Sequence, residues 1–113
     1  MSNQLWLRPG KLVAFTLLLL ALAGCGGGSG KGNALDGPAG VISVYKANCV
    51  NCHGSELQGR IGAVTNLQKV GARMSAEDIT VQIEDGASTM PGFKDKLSAE
   101  EIEGLAEWLA GKK

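Results

Sequence analysis

Apolar positions recur at helical spacing in three stretches of the chain, and no stretch alternates apolar and polar residues as a strand would. The first stretch begins at Gly37-Pro38, where proline suits the first position of a helix. Ile42, Tyr45 and Cys49 follow at positions i, i+3 and i+7, which lie on one helical face. The pattern predicts a helix that carries Tyr45 and Cys49 on the same side.

Capping residues delimit two further helices. The second is predicted to begin at Ser75 and to end at Gly86, because serine favours the N-cap and glycine the C-terminal end. The third is predicted between Ser98 and Gly111, with Glu101 completing a capping-box pattern at its start. Its apolar face consists of Ile102, Leu105 and Leu109, with Trp108 alongside. The chain is therefore predicted to be all-α, with a long loop over residues 54–74 and a shorter loop over residues 86–97.

Composition indicates that the folded part depends on something that it binds. The chain has 113 residues, with 11 Lys+Arg and 11 Asp+Glu, so its formal net charge is zero. This balance gives no basic footprint for nucleic acid. Aromatic residues make up only 4% of the chain, which is low for a small domain that must bury a core. The folded part spans roughly 75 residues, and domains of that size usually need a disulfide, a metal or a cofactor.

The N-terminal segment has the features of an export signal. Arg8 and Lys11 precede an uncharged apolar run over residues 12–24. That run is shorter than the ~20 apolar residues of a membrane-spanning helix and is typical of a signal peptide. It ends in LAGC, at Cys25, which resembles the lipobox of bacterial lipoproteins. The resemblance implies a signal peptide over residues 1–24 and a diacylglycerol on Cys25. An uncleaved anchor and an ordinary signal peptide with Cys25 left free are the alternatives.

The lipobox defines the expected domain organisation. Residues 25–36 begin with the lipidated cysteine and are rich in Gly and Ser, which predicts a flexible tether. Residues 37–113 then form the folded domain. Because two acyl chains on one residue suffice for stable anchoring, we expect the protein at the cell membrane, lipid-anchored on its extracytoplasmic face.

The sequence NCVNCHG, residues 48–54, places two cysteines three positions apart and a histidine directly after the second. A structural zinc site needs four ligands, whereas the chain has one histidine and no second cysteine pair. A redox dithiol usually accompanies a strand, and none precedes it here; a structural disulfide is a further alternative. Cys-x-x-Cys-His is the attachment signature of haem c. Thiols one helical turn apart form thioethers to the two vinyl groups, which places His53 beneath the iron as proximal ligand.

Beyond this motif, residues 36–113 resemble a small class I cytochrome c. The matching segments are YKANCVNCHG, TNL, MSAEDI, TMPGF and the terminal LSAEEIEGLAEWL. With the lipobox, the chain resembles the lipid-anchored cytochromes c of bacteria that lack an outer membrane. The resemblance implies an all-α cytochrome c fold, with three or more short helices wrapped around one haem c. It also implies covalent attachment of that haem through Cys49 and Cys52.

A second axial ligand is expected from a methionine sulfur, as is usual in this family. Of the three methionines, Met1 lies in the signal peptide. Met74 directly precedes an N-cap serine, where it can pack onto the following helix. Met90 lies in an irregular loop, and the TMPGF motif of the family also indicates this residue. We therefore expect His53 and Met90 to be the axial ligands of the iron.

The resemblance also assigns supporting roles. A backbone carbonyl just before the NL pair accepts the Nδ1 proton of the proximal histidine. That carbonyl belongs to Thr65 here, whereas the family commonly has a proline, so the loop lacks the rigidity of proline. Tyr45 and Trp108 are expected where the first and last helices cross.

Two arginines are candidates for contact with the cofactor. Arg60 and Arg73 are the only arginines after the predicted signal peptide. Either could bind a haem propionate through two N–H groups, and surface solvation is the alternative for each. The sequence does not choose between them.

The expected ligand pair predicts the function. A thioether opposite histidine favours ferrous over ferric iron, and two protein ligands leave no open position for oxygen or a substrate. We expect a membrane-anchored one-electron carrier of a respiratory chain, not an enzyme. Its expected partners are a quinol-oxidising cytochrome complex and a terminal oxidase, and the protein is expected to be a monomer. The alternatives are a haem enzyme or gas-binding sensor with an open axial site, and a thiol oxidoreductase that uses Cys49 and Cys52.

Overall fold

The computed structural model describes residues 32–113, so the predictions for the signal peptide, for Cys25 and for most of the tether lie outside the described residues. Within residues 32–113 the chain forms four α-helices and no strand, which confirms the all-α prediction. The α-helices are α1 (Ala39–Asn48), α2 (Val50–His53), α3 (Ala76–Asp85) and α4 (Ala99–Ala110), and short 3-10 helices lie at Ala63–Thr65 and Val70–Ala72. In this range no helix has the length and apolar character needed to cross a membrane.

The first predicted helix is interrupted at Cys49. α1 begins at Ala39, one residue after the predicted start, because the backbone of Pro38 is extended, with ψ 131°, and proline acts as the N-cap. Cys49, with φ −119° and ψ −28°, separates α1 from the single turn of α2. Its backbone N–H nevertheless donates to the Tyr45 carbonyl at 2.8 Å. The chain therefore keeps its helical direction and ends α2 at His53.

The bounds of α3 and α4 agree with their capping residues. Ser75 and Ser98 are the N-caps, and each helix has both hydrogen bonds of a capping box. Gly86 and Gly111 directly follow the last helical residues. These predicted bounds are confirmed, because they depend on local hydrogen bonds that a short motif determines.

The core lies where α4 packs against α1 and α3. Gly104 lies in α4 at its approach to α1, and a Cβ on it would come within 3.0 Å of the Val41 Cγ2 atom. Glycine therefore allows α1 and α4 to approach closely, which offsets its cost of about 1 kcal/mol relative to alanine in a helix. The buried side chains of the core are Tyr45, Leu57, Val70, Ile79, Ile83, Phe93, Ile102, Leu105, Ala106 and Leu109.

The end of the predicted tether contacts the helical domain. Trp108 Nε1 donates to the Asp36 carbonyl at 2.9 Å, and Lys112 Nζ donates to the Ala34 carbonyl at 2.9 Å. Ala34 and Asp36 therefore contact α4 and the residues that follow it, although both were included in a predicted tether over residues 25–36. The composition of residues 25–36 could not predict these contacts, because they are made by side chains near the other end of the sequence.

Candidate cofactor site

A cavity of about 810 Å³ is lined by residues of all four described helices and of both long loops. Its volume lies within the range of about 300–1,000 Å³ that is typical of cofactor and small-ligand sites. The buried part of its wall consists of Tyr45, Val70, Ile79, Ile83, Phe93, Leu105 and Leu109. A mainly apolar wall with a few convergent polar groups is the expected form of a site for a large, flat cofactor.

Cys49, Cys52 and His53 together line one side of the cavity. The backbone N–H groups of Cys52 and His53 both donate to the Cys49 carbonyl, at 3.3 Å and 3.0 Å. This single turn keeps the two cysteines and the histidine on one short, rigid segment. The arrangement suits two covalent links and one coordinate bond to the same planar group.

The surroundings of Cys49 test two alternatives to haem attachment, a redox dithiol and a structural zinc site. Burial, and then the neighbouring Cys52, raise the pKa of the Cys49 thiol to about 11, and Lys96 opposes the shift. A reactive redox thiol instead needs a lowered pKa, so that thiolate is present near neutral pH. In the part of the chain that the structure describes, no three His, Cys, Asp or Glu side chains form a group that could hold a metal ion. The raised pKa argues against a redox dithiol at this position.

The imidazole of His53 is oriented by the loop that follows it. Its Nδ1 atom lies 2.7 Å from the carbonyl oxygen of Thr65. A carbonyl only accepts hydrogen bonds, so Nδ1 carries the proton and donates it. The Nε2 atom then keeps its lone pair for a metal ion, and the hydrogen bond at Nδ1 fixes the orientation of the ring.

The side chain of Thr65 supplies the rigidity that a proline would otherwise give. Its Oγ1 donates to the Gly62 carbonyl at 2.8 Å and accepts the Ile61 N–H at 3.2 Å. The residue also ends the 3-10 helix Ala63–Thr65. Threonine therefore fixes the loop by hydrogen bonds and holds its own carbonyl towards His53.

Tyr45 connects the histidine segment to the last helix. Its side chain is fully buried, at 0% exposure, and its hydroxyl donates to the Gly54 carbonyl at 2.7 Å. Its ring meets the Trp108 ring edge to face, with centroids 5.3 Å apart and an interplanar angle of 67°. Burial, and then the charge of Cys49, raise the pKa of Tyr45 well above its usual range, so it remains a neutral donor. Trp108 thus acts on the cavity through Tyr45.

Met90 reaches the cavity from the turn between α3 and α4. The Ala87 N–H donates to the Met90 carbonyl at 2.9 Å and closes this turn. Gly86 has a φ of 72°, and a Cβ on it would collide with the Met90 carbonyl oxygen. The turn therefore requires glycine at this position.

Two cavity residues, Gln82 and Met74, have no place in the site predicted from the sequence. The Gln82 Nε2 atom lies 3.9 Å from the Met90 Sδ atom, within hydrogen-bonding distance for sulfur. On α3, Gln82 lies beside Ile83 and three residues after Ile79, both buried, so helical spacing alone would place it at the edge of the buried face. Met74, which was assigned to packing onto the following helix, is half-buried at the cavity wall.

The structure thus brings most of the predicted site residues together. The cavity wall contains Tyr45, Cys49, Cys52, His53, Thr65, Arg73 and Met90, but not Arg60 or Trp108. Their chemistry fits a haem c: thiols for thioether bonds, an imidazole with an available lone pair, a thioether sulfur and apolar walls for the faces of the ring. The cavity therefore fits a haem c both in the ligand atoms that line it and in its volume.

Comparison with known proteins identifies the family. The family described as "Cytochrome C oxidase, cbb3-type, subunit III" matches residues 38–109. Cytochrome c-551 of Bacillus subtilis is 32% identical over 109 residues, which cover 90% of this chain and 93% of that protein. Cytochrome c-550 of Bacillus subtilis is 33% identical over 85 residues, 75% of this chain and 68% of that protein. Cytochrome c6 of Anabaena variabilis is 36% identical over 73 residues, 61% of this chain and 84% of that protein.

The matched region contains the cavity and all four helices except the end of α4. The chain belongs to the cytochrome c family, among its small class I members with a single haem. Its cofactor is accordingly one covalently attached haem c, and its fold is the cytochrome c fold. The resemblance to small class I cytochromes c, from which the sequence prediction was made, is confirmed.

Proposed function

We propose that this cytochrome is a membrane-anchored one-electron carrier of a respiratory chain, in which the iron cycles between Fe(II) and Fe(III). In this proposal Cys49 and Cys52 bind the haem through thioethers, and His53 Nε2 and Met90 Sδ are the axial ligands. The observation that carries the proposal is the shared cavity. It joins the Cys-x-x-Cys-His segment to a methionine that is distant in sequence.

Each side of the site contributes a different influence on the iron. The Thr65 carbonyl holds the His53 ring and makes it a stronger donor. On the other side, Met90 supplies a soft, neutral and weak donor, which favours the ferrous state. The Gln82 N–H directed at the sulfur withdraws electron density from it and acts in the same sense. Two protein ligands at the axial positions support electron transfer and not catalysis.

Exposed apolar side chains at the cavity mouth support brief contact with redox partners. Ile61 and Val64 both line the cavity, yet they are 59% and 83% exposed. Such a mouth gives a partner access to the edge of the cofactor without opening the iron itself. We propose a quinol-oxidising cytochrome complex as electron donor and a terminal oxidase as acceptor.

Attachment to the membrane is proposed from the N-terminal sequence. The LAGC motif supports lipidation of Cys25 after removal of residues 1–24, and the following Gly- and Ser-rich residues support a tether on the extracytoplasmic face. Globomycin, which blocks lipoprotein signal peptidase, tests this part. We expect the precursor to accumulate, and normal processing would contradict lipidation.

The axial ligands are tested by two spectra of the purified holoprotein. We expect no change when carbon monoxide is added to the reduced protein, because a filled iron does not bind it; a shifted spectrum would favour the alternative of an open haem. Met90→Ala should abolish the near-infrared sulfur-to-iron charge-transfer band. Met74→Ala is the matched control, because Met74 lines the same cavity and its loss should leave the band unchanged. The opposite result would move the assignment to Met74.

A further inference from the structure

We infer that Arg73, and not Arg60, binds a propionate group of the haem. The inference rests on the proposed cofactor site and goes beyond its attachment and axial ligands. Haem carries two carboxylates on an otherwise apolar ring. A carboxylate held against protein needs a cation or several N–H donors, because it is costly to bury without partners.

Arg73 is the one Lys or Arg side chain in the cavity wall, within the described residues 32–113. The other titratable side chains in the wall are Tyr45, Cys49, Cys52 and His53. Tyr45 is neutral and already donates to a backbone carbonyl, and the proposal assigns the other three to the ring and the iron. Arg73 therefore supplies the positive charge that complements a carboxylate.

The Arg73 guanidinium is held by the same loop that orients the proximal histidine. Its Nη2 atom donates to the Asn66 carbonyl at 3.1 Å, and Asn66 directly follows the residue whose carbonyl accepts the His53 proton. A guanidinium has five N–H donors in one plane, so a single bond to Asn66 leaves donors for a two-point contact with a carboxylate.

Among the described residues, no carboxylate forms an ion pair with this arginine. Across residues 32–113 the only ion pair within 4.0 Å joins Lys94 and Asp85, at 3.6 Å. The Arg73 side chain is also exposed, so it lies at the rim of the cavity. A ring that enters with its apolar edge first would leave its carboxylates at such a rim.

Arg60 provides a matched control in the same part of the molecule. It is also exposed, and its backbone N–H donates to the Cys52 carbonyl at 2.8 Å, next to the haem-attachment segment. Its side chain does not line the cavity. Neutralising Arg60 therefore removes a similar charge without removing a contact with the cofactor.

The sign of the expected effect follows from charge. An uncompensated carboxylate near the iron stabilises the ferric state, which carries one more positive charge. Arg73→Gln should therefore lower the reduction potential. We expect about a tenfold change in the preference for ferrous iron, which is ~59 mV for a one-electron couple. Arg60→Gln should give a clearly smaller shift, because an exposed charge without contact is screened by salt.

The experiment compares the wild-type holoprotein with R73Q, R73K and R60Q by spectroelectrochemical titration and by the resonance Raman bending mode of the propionates. We expect R73Q to lower the potential and to shift the mode. R73K should retain most of the potential, because the charge stays, but should shift the mode, because the planar fork is lost. Equal potentials in R73Q and R60Q with an unchanged propionate mode would overturn the inference.

A replacement variant and a second spectrum keep the test decisive. If R73Q does not accumulate as holoprotein, R73K replaces it: a shifted mode supports the contact, and an unchanged mode contradicts it. The near-infrared methionine band is recorded on the same samples. Its absence from the wild-type protein would contradict ligation by Met90, whereas the propionate mode reports on Arg73 in either case.

Discussion

The two sides of the haem site are built in different ways. On the histidine side, residues 48–54 hold both cysteines and His53, the proposed proximal ligand, in one helical turn. On the methionine side, residues 86–93 form an irregular turn, and Met90 is held by a backbone hydrogen bond, by the conformation of Gly86 and by a weak contact from Gln82. In the proposed site, local sequence and two thioether bonds determine the histidine side, whereas the fold determines the methionine side.

The largest effect is expected from removing the covalent bonds of the histidine side. In the double variant C49S/C52S no thiol is left for either thioether, so we expect a chain without attached haem. Met90→Ala, by contrast, should keep the haem mass and lose only the sulfur band. Intact-mass spectrometry under denaturing conditions measures attachment directly. A haem that stays covalently bound in C49S/C52S would contradict the assignment of these cysteines.

Gly86→Ala should loosen the methionine side while leaving the histidine side intact. Gly86 combines φ 72° with ψ −163°, a region that is essentially restricted to glycine, so an alanine there costs roughly 1–3 kcal/mol, and its Cβ would also collide with the Met90 carbonyl oxygen. We expect the free energy of unfolding to fall by more than the conformational cost alone. The near-infrared band should also disappear at a lower temperature than helical circular dichroism does.

Gly62→Ala is the control for that conformational cost. Gly62 has a similar φ of 78°, but a Cβ on it would have no heavy atom within 4 Å. Its ψ of 173° places it in the same glycine-only region, so we expect this variant to lose about 1–3 kcal/mol and to keep the methionine band up to global unfolding. If both variants lost the band together with the helices, the methionine side would be no weaker than the histidine side.

The same contrast explains what the sequence predicts and what it leaves open. The bounds of α3 and α4 were predictable because Ser75, Ser98 and their capping partners interact within one turn. The break at Cys49 was not, because the apolar spacing continues through it. The roles of Gln82 and Arg73 depend on which distant segments pack against them. A sequence pattern predicts which face of a helix is buried, but not which segment covers that face. For the same reason the two arginines could not be distinguished from the sequence alone.

A smaller effect is expected from Thr65→Val, which changes the loop that orients His53 on the histidine side. Valine keeps the shape and the backbone carbonyl but removes two hydrogen bonds of the hydroxyl, each contributing about 0.5–1.5 kcal/mol. We expect lower thermal stability and faster solvent exchange of the His53 Nδ1 proton, measured by NMR. Thr80→Val is the control, because its hydroxyl donates within α3 to the Ala76 carbonyl at 2.9 Å. It should lower stability slightly and leave the His53 proton unaffected.

The smallest effect is expected from Gln82→Leu, which removes the one side-chain hydrogen bond to the Met90 sulfur among the described residues. At 3.9 Å this contact is weak, so we expect a fall in the reduction potential that corresponds to less than a tenfold change, below ~59 mV for one electron. The direction follows because a sulfur relieved of the N–H donates more strongly and stabilises ferric iron. Gln68→Leu is the control, because its Nε2 atom donates to the Glu56 carbonyl at 3.2 Å and Gln68 does not line the cavity. Equal potentials in the two variants would mean that backbone geometry alone sets the strength of the methionine ligand.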